Sequence, residues 1–164
     1  MGHHRAKVAW RLADGEDFAK GRYSRGHTVD FPGGHTAPGT ASAQVVGARW
    51  AAEGAVDPEE MLVAAISTCH MLSFLHVARL AGFMVTAYAD DAEGVLEPNA
   101  EGRLAITRVT LRPVIAYDGG APEPAETDHL HHRAHEECFI ANSVKTEIVV
   151  EHQKPLIPDA SRIT

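Results

Sequence analysis

Apolar and polar positions change rhythm several times along the chain, and each change marks an element. From residue 7 to 12 they alternate, with Val8, Trp10 and Leu12 on one face, which predicts an opening strand. Residues 13–54 are rich in Gly, Pro, Thr and Ser and read as loop and edge strand. Short strands are expected there at 27–31 and 41–46, separated by the turn-prone Pro32-Gly33-Gly34.

The period then lengthens. Asp57-Pro58-Glu59-Glu60 carries the marks of a helix start: an Asp to cap free amides, a Pro tolerated at the first position, and two carboxylates at the positive end of the dipole. This helix is expected to run to about residue 80 and to end at Ala81-Gly82. Its Ala, Met, Leu and Ile content leaves few polar positions except near Cys69 and His70, so it reads as a central helix buried on more than one side. Residues 83–89 and 105–116 read as strands, the second weighted by Ile106, Val109, Leu111, Val114 and Ile115, and the turn residues of 93–102 between them predict a hairpin. After a loop over 118–124, a second helix is expected over 126–138, polar on one face, and a last strand over 143–151, where Val144, Thr146, Ile148 and Val150 alternate. The tail from residue 154, with two prolines, reads as irregular. Strands, long helix, hairpin, helix, strand is an α+β order.

Composition narrows the class. The 164 residues make a single domain, 1–164, with a core over about 5–152, long enough to fold without disulfides. A formal net charge of −7 with no basic stripe argues against nucleic acid, because phosphate neutralisation needs clustered cations; a small molecule fits better. The apolar stretch over 61–85 is interrupted by His70, His76 and Arg79, which argues against a membrane span. With no signal peptide at the start, a cytoplasmic protein is expected.

Two cysteines remain as candidate chemistry. Cys69 stands in the apolar helix and Cys138 in the polar run His135-Glu136-Glu137-Cys138-Phe139. A reactive thiol with a resolving partner is one reading, since intracellular disulfides are mostly transient and redox-active; two inert, buried thiols is the other. A thiol attacks as the thiolate, which an apolar helix disfavours, so a cation is needed. Arg22 and Arg25 in the loop over 21–27 and His70 beside the cysteine are the candidates, and a guanidinium is the better one because its charge is permanent and its donors forked. Glu59 is the carboxylate to orient it. Ten residues of straight helix separate Glu59 from Cys69 by about 15 Å. Either the helix starts later, or two copies pair antiparallel so that Glu59 of one meets Cys69 of the other.

A rival constellation is made of histidines. His131, His135 and Cys138 fall at helical spacing on one face, as zinc ligands do, and His70 would complete four. Structural-zinc spacing of paired Cys or His is missing elsewhere, and solvated helix histidines are common.

The block from Asp57 through the Ala-rich run to Cys69, together with Glu137-Cys138-Phe139-Ile140-Ala141-Asn142-Ser143-Val144, resembles the OsmC/Ohr family of thiol peroxidases. The chain departs from the best-studied branches at Asp57, at His70 and over 22–34, and looks closer to an OsmC-like branch. The resemblance implies an OsmC-like fold in which long central helices are wrapped by antiparallel sheets in an intertwined homodimer, with active sites at the subunit interface. It implies Cys69 as peroxidatic thiol, Cys138 as resolving thiol, and Glu59 as the carboxylate that positions an arginine, for which Arg25 is chosen over Arg22. Cys69 would attack an organic hydroperoxide and become a sulfenic acid, Cys138 would condense with it to a disulfide, and an external dithiol would reduce the product, with no metal or organic cofactor. Met61, Leu62, Ile66 and Phe74 would favour an organic substrate over hydrogen peroxide, unless the dimer takes them as core. The alternative is a non-catalytic ligand- or zinc-binding dimer on the same fold.

Overall fold

The computed structural model describes residues 2–151. Its contacts gather into two compact units, Met1–Leu62 and Val63–Thr164. The expected irregular tail from residue 154 lies outside the described residues.

The first unit holds a three-stranded antiparallel sheet of β1 (Lys7–Ala9), β2 (His27–Asp30) and β3 (Thr36–Gly39), in that order. The β2–β3 turn forms at Pro32-Gly33-Gly34, where Gly34 takes φ +83°, Phe31 N–H donates to His35 O and Gly34 N–H donates to Phe31 O. β3 escapes the sequence pattern because it carries Pro38 and Gly39. Gly39 is required: a Cβ there would run into the His27 ring on the neighbouring strand. The strand expected over 41–46 is instead the short helix α1 (Ala43–Val46), because the Ser42 hydroxyl takes the Gln44 amide and caps a helical turn.

The long helix α2 (Pro58–Leu80) follows expectation at both ends. Asp57 and Glu60 form a reciprocal capping box: Oδ1 of Asp57 accepts the Glu60 amide at 2.8 Å, and Oε2 of Glu60 accepts the Asp57 amide at 3.0 Å. At the far end Phe83 N–H reaches back to Ala78 O, with Gly82 at φ +89°, the left-handed residue that such a stop needs. By length and composition alone α2 is apolar enough to cross a bilayer. Its packing is that of a core helix: Phe74, Val77 and Ala78 bury against Leu130 and Ala134 of the second helix, with Phe83, Val85, Tyr88 and Ile115 packed around them.

Burial on more than one side is not observed. Ile66, His70, Phe74, Val77 and Ala78 are buried, while Ala64, Thr68, Leu72, His76 and Leu80, spaced by four on the opposite face, are exposed. Among the described residues nothing covers this second face.

The second unit contains two sheets. β4 (Met84–Asp90) pairs antiparallel with β7 (Pro113–Asp118), while β6 (Leu104–Leu111) lies between β5 (Glu93–Pro98) and β8 (Glu147–Val150), antiparallel to the first and parallel to the second. The expected hairpin of 83–89 with 105–116 does not form as such: β4 pairs with β7, and the hairpin is β5–β6, in which residues 93–98 are a strand rather than a turn. Its turn closes at 99–103, where the Asn99 side chain takes the amides of Glu101 and Arg103. The single strand expected over 105–116 is two. Pro113 has no N–H, and the Arg112 amide is taken by Asp90 at 2.6 Å, so the ladder breaks and the chain changes sheet. Asp90 also accepts the Ser67 hydroxyl, tying this crossing point to α2. The second long helix, α3 (Pro124–Glu137), starts on a Pro in its first turn. The last strand is shorter than the expected 143–151, because residues 141–143 form a 3-10 turn.

Candidate active site

Both cysteines are free, and the second unit brings them together. Cys69 sits on the partly buried side of α2, and Cys138 terminates α3 in extended backbone with no exposed surface. Cys69 lies close enough to Cys138 to raise the pKa of its thiol. Two backbone amides reach the pair from the following loop: Ile140 N–H donates to Cys69 Sγ at 3.5 Å, and Ala141 N–H to Cys138 Sγ at 3.3 Å. Burial pushes the Cys138 thiol above its ordinary range and the adjacent Cys69 adds to it, while the Ala141 and Ile140 amides pull the other way without cancelling the rise.

The loop is aimed by its own polar groups. Asn142 Nδ2 donates to Glu136 O at 2.9 Å and Cys138 O at 3.1 Å, filling carbonyls that the end of α3 leaves open, and its amide donates to Cys138 O at 3.0 Å. Ser143 Oγ closes on Phe139 O at 2.6 Å. These contacts fix where the two sulfur-facing amides point. Asn142 and Ser143 were visible in sequence only as part of the block after Cys138, since a donor role for main-chain amides leaves no residue-type signal.

The histidines make a pair, not a metal cage. His70 Nε2 lies 3.0 Å from His131 Nδ1, the ring planes are within 5° of parallel, and the Phe74 ring packs on His131 with centroids 4.4 Å apart. Burial first, and the nearby His135 second, lower the His70 pKa to about 4, so its ring is neutral at physiological pH. Its Nδ1 is buried without a hydrogen-bond partner. Among the described residues no three of His, Cys, Asp or Glu are placed to hold a metal ion, so the set His70, His131, His135 and Cys138 does not assemble as zinc ligands. Two recesses, of about 510 and 290 Å³, flank α3 and share Asp128 and His131; neither is lined by a cysteine.

In the first unit, the Arg25 guanidinium is held by its own loop. Nη1 donates to Gly21 O at 3.1 Å and to Tyr23 O, and the guanidinium carbon lies 3.7 Å above the Tyr23 ring. Tyr23 stacks on Phe18 and meets Trp10 edge-on, so Arg25 rests on a small aromatic platform. Arg22 is exposed, its backbone paired with Asp17. Glu59 is half-buried in the first turn of α2. Among the described residues its carboxylate makes no ion pair with Arg22 or Arg25. Because α2 is continuous, Glu59 and Cys69 stand about 15 Å apart along it.

A thiol pair at the meeting of a long helix and a second helix, read together with the sequence blocks around it, can be compared with known proteins. The family model described as OsmC-like protein matches residues 51–153. The chain belongs to the OsmC family. A solved OsmC-like protein of unknown function from Vibrio cholerae is 44% identical, with a TM-score of 0.89 over 93% of this chain and 100% of that one. An organic hydroperoxide resistance protein OsmC from Legionella pneumophila is 19% identical, with a TM-score of 0.67 over 95% of this chain and 98% of the other. An organic hydroperoxide resistance protein from Elizabethkingia anophelis gives 16% and 0.66, over 93% and 94%. At those identities the last two share the OsmC fold and no more. No curated protein sequence matches the chain significantly.

Proposed function

We propose that this OsmC-family protein is a thiol peroxidase that reduces organic hydroperoxides to alcohols. The observation that carries the reading is the proximity of reduced Cys69 and Cys138, with the adjacent Ile140 and Ala141 amides each donating to one of the two sulfurs. The Cys69 thiolate attacks the distal oxygen of the hydroperoxide, the O–O bond breaks, and the alkoxide leaves as alcohol after taking a proton, so sulfur is oxidised to sulfenic acid as the peroxide is reduced. The Cys138 thiol then attacks the Cys69 sulfur, displacing water and leaving a Cys69–Cys138 disulfide, which an external dithiol reduces. The names of the Legionella and Elizabethkingia proteins support the class of substrate.

Arg25 and Glu59 complete the site in a homodimer. The uncovered apolar face of α2 supplies the interface, and antiparallel pairing across it brings Glu59 of one copy toward Cys69 of the other, which a single straight helix forbids. Arg25 would leave its own loop carbonyls for Glu59 and stabilise the charge on the departing oxygen.

The test is intact mass with thiol titration of reduced protein, before and after one equivalent of cumene hydroperoxide or of hydrogen peroxide. Loss of both thiols to an intramolecular disulfide, faster with the organic peroxide and abolished in Cys69→Ser, is expected. Survival of both thiols ends the peroxidase reading.

A further inference from the structure

The two sulfurs differ sharply in access, and that difference bears on how the disulfide of the proposed cycle is opened, so the inference rests on that reading. Cys138 has no exposed surface, whereas Cys69 is partly exposed. Thiol–disulfide exchange needs the incoming thiolate to reach one sulfur from the side opposite its partner, so accessibility decides which sulfur is attacked as much as acidity does. We propose that the reductant enters at Cys69 and that Cys138 is always the leaving sulfur.

In balanced form, a reductant thiolate forms a bond to Cys69 Sγ, the Sγ–Sγ bond breaks, and the electron pair departs on Cys138 Sγ. The first reductant sulfur is then part of a mixed disulfide with Cys69. A second thiolate of the dithiol attacks that first sulfur, releasing the Cys69 thiolate and carrying off the oxidised dithiol. Cys138 takes its proton from water.

The structure supports the departure as well as the entry. Ala141 N–H donates to Cys138 Sγ at 3.3 Å, so the departing anion is received by a fixed dipole. Burial works against this, because a thiol pushed upward is the slower leaving group. That opposition is graded, while a sulfur without exposed surface gives a solvent thiolate no line of approach at all. Once protonated in its buried position, Cys138 is also a weak nucleophile for the reverse attack.

The disulfide is prepared with diamide, so that the experiment does not depend on peroxidase turnover. It is treated briefly with excess mercaptoethanol, quenched in acid and alkylated, and the peptides are mapped by mass. The mixed disulfide is expected on Cys69 and the alkyl group on Cys138, by at least tenfold. Equal amounts, or an excess on Cys138, overturn the proposal. As a second measurement, Cys138→Ser and Cys69→Ser chains are each treated with dithiobis(nitrobenzoate) to form the thionitrobenzoate mixed disulfide, and then with dithiothreitol. Release from Cys69 should be at least tenfold faster, and failure of native Cys69→Ser to take the label is the same result. Comparable labelling and release at both sulfurs sinks the idea. If diamide forms the disulfide but hydroperoxide does not, the peroxidase reading fails while the order of attack stands.

Discussion

Among single residues, His70 has the clearest solution signature. Its pKa falls from 6.5 to about 4 in the fold, mainly because burial penalises the imidazolium. Below pH 6.5 the unfolded chain therefore takes up a proton that the folded chain refuses. Stability is fully present above that pH, falls as pH drops from about 6.5 to about 4, and levels off below, by about 3 kcal/mol in all from this group. The groups facing it are His131, bonded to it, and His135, whose charge adds to the penalty. Urea unfolding between pH 8 and pH 4 should show a shallower acid loss in His70→Leu than in the wild type. At pH 8 that variant should lose about 1 to 3 kcal/mol, because the His131 nitrogen loses its buried partner. An unchanged acid slope would show that His70 is not the group responsible. The sequence offered His70 as a cation beside Cys69 and as a zinc ligand grouped with His131; that the two rings instead bond directly to each other, 61 positions apart, is a packing fact that helix periodicity does not encode.

Elements were legible where local chemistry decides them. Asp57, Pro58 and Gly82 carry their information within a turn or two, and α2 begins and ends where they say. Asp57→Ala should cost about 1 kcal/mol in thermal or urea unfolding, since the Glu60 amide loses its side-chain acceptor while the backbone amide of residue 57 keeps its bond to Glu60. The elements that escaped were decided by partners distant in sequence: β3 by the His27 ring over Gly39, and the β6–β7 break by Asp90 taking the Arg112 amide. The candidate site divides along the same line. The proximity of Cys69 and Cys138 was anticipated from family resemblance, whereas the amides of Ile140 and Ala141, and Asn142 that aims them, depend on how α3 ends. Asn142→Ala should leave the fold in place by circular dichroism yet slow disulfide formation by roughly tenfold, the cost of about 1 to 1.5 kcal/mol for one lost set of positioning bonds. An undiminished rate would mean that the loop holds its place without it.

For the whole molecule, the unresolved demand is the second face of α2. The helix is apolar and long enough to cross a bilayer, yet on its second face Leu72 and Leu80 are 59% and 56% exposed. A helix this apolar that covers one face only is half of a packing arrangement. Ala64 and Thr68 in the same stripe are small enough to let another helix approach, and Leu72 stands at the middle of the stripe. The proposed homodimer about this face would supply the missing cover and bring a second Glu59 within reach of Cys69. Leu72→Glu then places a carboxylate against its own copy at the centre of the contact. Sedimentation should show the dimer weakened on the order of thirtyfold or more, corresponding to a central contact of about 2 kcal/mol. Peroxide turnover should fall with the dimer fraction and recover at high protein concentration, because in the proposed site Cys69 and Cys138 share a chain while Glu59 is supplied by the other. A Leu72→Glu chain that remains the same size as wild type, or a wild type that is monomeric at every concentration, would remove the dimer and with it the role given to Glu59. Turnover that stays constant while the dimer dissociates would leave the thiol pair sufficient by itself.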